Sequence, residues 1–104
     1  MFESLKIKNI KKETSNSVSI EFIIPSENTN DYSFKAGQFL TLKANINGED
    51  VRRSYSICSS PKSGELKVVV KQIPNGIFST YANSQLKAGD ILEVAKPSGT
   101  FFLE

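Results

Sequence analysis

Apolar residues alternate with polar ones in short runs along most of this chain, and nearly every run is closed by a turn signal. Strand side chains point to opposite faces in turn, so such runs read as half-buried β-strands. Leu5, Ile7 and, less regularly, Ile10 stand among lysines in a first strand over 4–12. Val18, Ile20, Phe22 and Ile24 alternate with Ser19, Glu21 and Ile23 in a second, ended by Pro25. The polar SENTNDYS reads as a surface loop. Phe39 to Leu42 make a third strand. Asn47-Gly48, a strong hairpin signal, leads into a fourth over 51–58. A fifth runs over 66–73, and a sixth over 91–95 is stopped by Pro97-Ser98-Gly99. One segment departs from the pattern. In GIFSTYANSQL, Phe78, Ala82 and Leu86 recur every four residues with Tyr81 beside them, which predicts a short helix starting near Ile77. Lys87, Ala88 and Gly89 read as its basic last turn and stop. The spacing predicts an all-β domain, a small antiparallel barrel with one helix.

Composition narrows the chemistry. The chain has 104 residues, enough for one domain with a single core. It contains no histidine and one cysteine, Cys58. Nucleophile systems that need histidine, the usual zinc sites and internal disulfides are therefore excluded. A net charge of +2 with no long run of like charge argues against nucleic acid and acidic membranes as partners. MFESLKIKNIKK contains no long apolar region, so a cytoplasmic location is the expectation. Any redox or transfer chemistry must come mostly from a cofactor.

The strand VRRSYSIC is unusual for a barrel. Alternation puts Arg53, Tyr55 and Ile57 on one face, and Arg52, Ser54, Ser56 and Cys58 on the other. A guanidinium binds phosphate bidentately, and a phenol ring stacks on a flat heteroaromatic ring. Arg53 and Tyr55 thus suit an anionic group next to such a ring, but taken alone they read more readily as an exposed edge strand with scattered polar residues. In the next strand Val69, Lys71 and Ile73 share a face, which adds a second cation. Then Gly76 precedes the helix, where the backbone can approach a ligand and free N–H groups attract anions. Ser79 in the first turn suits a cap or a phosphate contact. Two anion-suited elements flanking a stacking ring point to a dinucleotide with a diphosphate. An ordinary turn and an ordinary cap remain open for Gly76 and Ser79.

RSYS followed by ICSSP, then VVVKQIPNGIFSTYANSQLKAGDILEV, then PSGTFF, resembles the flavin domain of the ferredoxin–NADP reductase family. The resemblance runs from about Leu5 to Phe102. It extends to reductase components of bacterial oxygenases, cytochrome b5 reductase and flavohaemoglobin. It implies a six-stranded antiparallel Greek-key barrel that binds FAD. By the same resemblance Arg53 would bind the FAD diphosphate and Tyr55 would lie along the isoalloxazine and ribityl chain. Ser56 would stand near flavin N5 as the catalytic contact, and Ser54 would contribute through its backbone. Val69, Lys71 and Ile73 would lie along the ribityl and adenylate parts. Gly76, Ile77, Phe78 and Ser79 would hold the diphosphate, and Pro97, Ser98 and Gly99 would form the turn at the barrel's end. Simple alternation turns Ser56 away from Tyr55, so its contact requires strand twist or a bulge.

The resemblance also implies a second, NAD(P)H-binding domain and an iron–sulfur or haem electron acceptor. No G-x-G-x-x-G stretch and no cysteine cluster occur here, so the expectation is one FAD-binding domain, residues 1–104, of a longer reductase. Such a domain should bind FAD weakly or moderately and oxidise NAD(P)H inefficiently. Two other barrels fit less well. A non-enzymatic FMN- or riboflavin-binding barrel needs no diphosphate site. An oligonucleotide-binding barrel needs an aromatic platform and a basic groove, which Tyr32, Tyr55 and Tyr81 do not suggest. Of the remaining residues, Cys58 reads as a small packed side chain and Arg52 as solvated. Phe78 reads as core that can also meet adenine, and Phe101 and Phe102 as core or interdomain packing.

Overall fold

The computed structural model describes residues 2–99. Phe101 and Phe102 lie outside the described residues. Six antiparallel strands form one rolled sheet in the order β4-β3-β6-β1-β2-β5. They are β1 (Phe2–Thr14), β2 (Ser17–Phe22), β3 (Phe39–Ile46), β4 (Glu49–Ser56), β5 (Leu66–Lys71) and β6 (Ile91–Ala95), with helix α1 (Ile77–Ser84) between β5 and β6. β1 is long because it serves two neighbours. Its first half pairs with β6 and its second half with β2, and register shifts at Ile7/Asn9 and Lys12/Thr14 bend it between them.

The edge strands β4 and β5 meet at one bridge, Ile57 to Val68. The sheet is therefore a barrel pinned at that point rather than a closed cylinder. Phe78 of α1 packs into the gap above the bridge with 1% of its surface exposed. The alternating residues Leu5, Ile7, Val18, Ile20, Phe22, Leu66, Val68 and Val70 fill the core as their spacing predicts.

Several boundaries differ from expectation. Ile23, Ile24, Gln72 and Ile73 fall outside strands, while β3 runs on to Ile46 because its hairpin partner continues to Glu49. Asn47 (φ 52°) and Gly48 (φ 84°) make the left-handed two-residue turn that this dipeptide favours. The helix ends at Ser84, before Lys87, and Gly89 (φ 93°) instead shapes the turn into β6. There the carboxylate of Asp90 accepts a hydrogen bond from the Lys87 N–H at 3.0 Å. Leu86 is buried as its spacing predicts, but it lies just past the helix.

The segment SENTNDYS is not a plain surface loop. It holds two 3-10 turns, Ser26–Asn28 and Asn30–Tyr32, and Tyr32 is 1% exposed. The Tyr32 hydroxyl lies 3.2 Å from both Glu3 Oε1 and the Val94 carbonyl, so it ties the loop to β1 and β6. Burial first, then the nearby Glu3 charge, pushes the phenol pKa from 10.0 up to about 12. The folded state holds this proton more tightly than the unfolded chain. Its stabilising contribution is thus complete below pH 10 and is lost as pH rises towards 12. Tyr32→Phe should be less sensitive to alkali across that window than the parent chain. Urea unfolding on either side of pH 10 would test this, and parallel alkaline losses in both proteins would refute it.

Candidate functional site

Beyond the Ile57–Val68 bridge, β4 and β5 splay apart and leave a groove of about 320 Å3. Arg53, Ser54 and Tyr55 of β4 form one wall. Val69, Lys71 and Ile73 of β5 and its extension form the other, and Gly76, Phe78 and Ser79 form the end. The side-chain period of two explains the second wall. Leu66, Val68 and Val70 are buried, so Val69 and Lys71 must face out. Val69 at 39% exposed and Ile73 at 55% present apolar surface beside a lysine, an arrangement suited to a ligand that is part flat ring and part anion. The Tyr55 ring rests against Phe78, with centroids 5.8 Å apart, so the groove wall is backed by the core. Burial holds the Tyr55 phenol above its ordinary pKa, which keeps it a neutral hydrogen-bond donor.

The groove end is a tight turn. The N–H of Gly76 donates to the Ile73 carbonyl at 3.0 Å, with Asn75 in the left-handed region (φ 62°). This is the Pro-Asn form of a type II turn. Ser79 is buried, and its hydroxyl accepts the Ile73 N–H at 3.1 Å and reaches the Gly76 carbonyl at 3.4 Å. That hydroxyl therefore clamps the turn, whereas the sequence suggested a cap or a phosphate contact. Asn83 holds α1 to β5 by donating to the Val70 carbonyl at 3.1 Å. Gly76 is the N-cap of α1, and no side chain caps the helix start. The first N–H groups of α1 have no acceptor within the helix and open towards the glycine. A Cβ at Gly76 would collide with Ser79 Oγ and stand 2.6 Å from Ile73 Cγ1. The cradle is therefore shaped for close backbone approach by a diphosphate, and its residues fit that group.

The structure brings nine of the expected residues to this groove, Ser56 and Ile77 excepted. Ile77 lines an adjoining cleft. Ser56 sits at the end of β4, opposite Phe39. Its relation to the groove is decided by the hydrogen-bond ladder. The Ile57 N–H donates to the Gln38 carbonyl at 3.0 Å, and bonded and non-bonded pairs alternate along an antiparallel ladder. Arg53, Tyr55 and Ile57 therefore bond to β3, while the N–H groups of Ser54 and Ser56 point from the open edge of β4 towards β5. No bulge is needed to present them. The Ser54 hydroxyl is engaged 2.8 Å from that of Thr41, in keeping with a backbone role. Arg53 is exposed, and its Nη1 donates to the Arg52 carbonyl at 2.7 Å.

Of the other expectations, that for Cys58 changes and that for Arg52 holds. Cys58 is exposed beyond the bridge rather than packed, and desolvation of its sulfur holds the thiol pKa up, which disfavours a reactive thiolate. Arg52 is exposed but engaged, in a two-point ion pair with Asp50 at 3.1 and 3.2 Å and above the Phe2 ring. On the other side of β3 from Ser56, the Ser98 backbone exchanges hydrogen bonds with Phe39, and Gly99 (φ 111°) packs so close to the Phe39 ring that a Cβ would stand 2.8 Å from it. Among the described residues, no group of three acidic, cysteine or histidine side chains is placed to hold a metal. No helix among them is long and apolar enough to cross a membrane.

A six-stranded barrel with an arginine, a tyrosine ring and an uncapped helix start at its splayed edge is suited to a ligand that joins a flat ring to a diphosphate. Residues 4–103 match the oxidoreductase FAD-binding domain family, and the chain belongs to that family. It is 45% identical over 100 residues to a component of the 1,2-phenylacetyl-CoA epoxidase of Escherichia coli K12, covering 96% of this chain and 28% of that protein. It is 31% identical over 97 residues to the toluate 1,2-dioxygenase electron transfer component of Pseudomonas putida, covering 93% of this chain and 28% of that protein. Among solved structures, phthalate dioxygenase reductase superposes with a TM-score of 0.79 at 31% identity, over 99% of this chain and 32% of that one. A ferredoxin NADP+ reductase from Neisseria gonorrhoeae with bound FAD and NADP gives 0.80 at 25% identity, over 95% of this chain and 39% of that one. The chain thus spans between a quarter and two fifths of these relatives. It is an FAD-binding domain of the oxidoreductase type, and its cofactor is FAD.

Proposed function

We propose that this domain holds FAD in the groove between β4 and β5, as one part of an NAD(P)H-dependent reductase that passes electrons to an iron–sulfur or haem partner. The observation that carries the reading is the convergence of Arg53, Tyr55, Lys71 and the start of α1 on one groove. The names of the relatives support the wider role, since they include an electron transfer component and a reductase that works from pyridine nucleotides to [2Fe-2S]. The NAD(P)H-binding part belongs, on this reading, to another domain.

FAD held by Arg53, Lys71 and the start of α1 would supply the redox chemistry, both hydride and single-electron transfer. The chain's own residues bind and orient it. Arg53 and Lys71 offset the diphosphate charge, and the N–H groups at the start of α1 donate to it. Tyr55 and the exposed Val69 and Ile73 flank the ring and ribityl portions, with Phe78 behind Tyr55 keeping that wall dry and fixed. Ser54 and Ser56 present edge N–H groups beside the ring, and Ser56 is the residue assigned to hydrogen-bond flavin N5. Ser79 acts as a positioning residue, because its hydroxyl holds the turn that exposes the helix start.

The test is direct. The purified chain, mixed with FAD or FMN and passed through gel filtration, should retain FAD and show shifted visible bands. Arg53→Ala should weaken FAD binding by roughly 10- to 100-fold, the worth of one charge-assisted phosphate contact. Unchanged affinity in that variant would remove Arg53 from the site.

A further inference from the structure

We propose that Asn83 is a positioning residue for the diphosphate cradle, setting the angle at which the start of α1 faces Lys71. This rests on the reading of the groove given above. Asn83 stands one turn after Ser79, so the two share the face of α1 that meets β5. Asn83 Nδ2 donates to the Val70 carbonyl of β5 at 3.1 Å and to the Ser79 carbonyl of its own helix at 2.9 Å. The Ser79 hydroxyl in turn accepts the Ile73 N–H at 3.1 Å. The segment 70–73 is therefore fastened to α1 at both ends, and Lys71 lies between the two fastenings.

The fold by itself gains little from this amide. Its Oδ1 is buried and has no hydrogen-bond partner among the described residues, and an unpaired buried acceptor is destabilising. Neither carbonyl depends on the side chain. The Ser79 carbonyl is placed to accept from the backbone N–H four residues on, within the helix. The Gln72 N–H donates to the Asn16 carbonyl at 2.7 Å, and residues facing one neighbour recur at every second position, so the Val70 carbonyl faces β2 and its ladder. An amide that leaves its oxygen unpaired to tie two satisfied carbonyls together is explained by the geometry it fixes.

That geometry concerns charge. The Thr80 N–H donates to the Gly76 carbonyl at 3.0 Å, so the N–H groups of Ile77, Phe78 and Ser79 precede the first helical bond. They open towards the groove from α1, while Lys71 lines it from β5. Both serve one diphosphate only at a matched separation. The Ser79 clamp fixes the turn at Gly76, which is one end of the helix. Burial of Phe78 and Ala82 holds α1 to the core, but apolar contact is non-directional. Asn83 ties the other end, about two turns beyond Gly76, where a single bond has most leverage over the helix angle.

The experiment measures FAD dissociation constants by ultrafiltration and flavin absorbance for the parent chain, Asn83→Leu, Lys71→Met and the double variant, with thermal unfolding of each protein before FAD is added. Leucine branches at Cγ as asparagine does, so it keeps the shape and removes the amide. Asn83→Leu should unfold within a few degrees of the parent, because the lost bonds and the removed unpaired oxygen offset each other. It should nevertheless lose roughly tenfold in FAD affinity, and Lys71→Met should lose a similar factor. The double variant should fall well short of the roughly hundredfold loss that independent sites would give, since Asn83 acts through the placement of the helix start against Lys71. Parent-like FAD affinity in Asn83→Leu would overturn the inference, and so would losses that multiply in the double variant. A Tm that falls further than those few degrees, or a variant that does not fold, would make the amide an ordinary structural tie and overturn it too. In each of these cases weakened binding by Arg53→Ala leaves the groove standing, whereas a parent chain that retains no FAD overturns the groove and this inference together.

Discussion

Gly76→Val should abolish FAD retention by the chain while leaving a folded barrel. The reason is steric and not conformational. Gly76 has φ −81° and ψ 111°, which any residue adopts. Its missing side chain matters because a Cβ would meet Ser79 Oγ, Ile73 Cγ1 at 2.6 Å and the Ile73 carbonyl oxygen at 3.1 Å. The two polar atoms do not yield easily. Ser79 is buried and holds the Ile73 N–H, and the Ile73 carbonyl accepts the hydrogen bond that closes the turn. Valine would push the turn open and tilt the first N–H groups of α1 away from the groove. Overpacking of this kind costs about 1–3 kcal/mol of stability. FAD affinity should fall roughly 100-fold or more, since the diphosphate loses both close approach and aligned donors. Titration with FAD, alongside thermal unfolding, separates the two effects. A Gly76→Val domain that binds FAD like the parent would show that the cofactor does not use this helix start.

Phe78→Ala should be the most destabilising single substitution at the site. Phe78 is 1% exposed, and its ring lies 5.8 Å from that of Tyr55 and 6.3 Å from that of Tyr81. It fills the gap left where β4 and β5 part, so its removal leaves a cavity that no strand pairing can close. The expected loss is about 3–5 kcal/mol. For a domain of this size that corresponds to a fall in Tm of roughly 12–30 °C. Tyr55 would lose its backing, so flavin binding should weaken even at temperatures where the variant remains folded. Urea unfolding of the parent and variant checks the first effect. A loss below about 1 kcal/mol would mean that the neighbouring side chains collapse into the space, at odds with the close packing around Phe78.

Much of this was legible along the chain because its causes are local. The period-two burial of Val18, Ile20 and Phe22 sets their faces without reference to any partner strand. The same rule turns Val69 and Lys71 outwards and puts Arg53 beside Tyr55. Asn47-Gly48 encodes its own left-handed turn, and the spacing of Phe78 and Ala82 encodes the buried side of α1. The order of Arg-x-Tyr-Ser, Gly-x-x-Ser and Pro-x-Gly carried the family. Other features depend on distant segments. Tyr32 looked like loop surface, yet the carbonyl of Val94 and the carboxylate of Glu3 draw it inside. Ser79 read as a cap or a phosphate contact, and folding also placed the Ile73 N–H against its hydroxyl. Cys58 looked packable, but the chain passes the bridge and leaves it outside. Ser56 looked turned away, because side-chain alternation says nothing about where the N–H points; the parity of the β3–β4 ladder decides that. The groove itself is of this second kind. Sequence period determines which face of β4 and of β5 is polar, whereas the splay between them exists because one bridge holds the strands together and one helix side chain, Phe78, fills the gap beyond it. Alternation is set by bond geometry within a strand, and the meeting of two sheet edges is set by the packing of residues far apart in the chain.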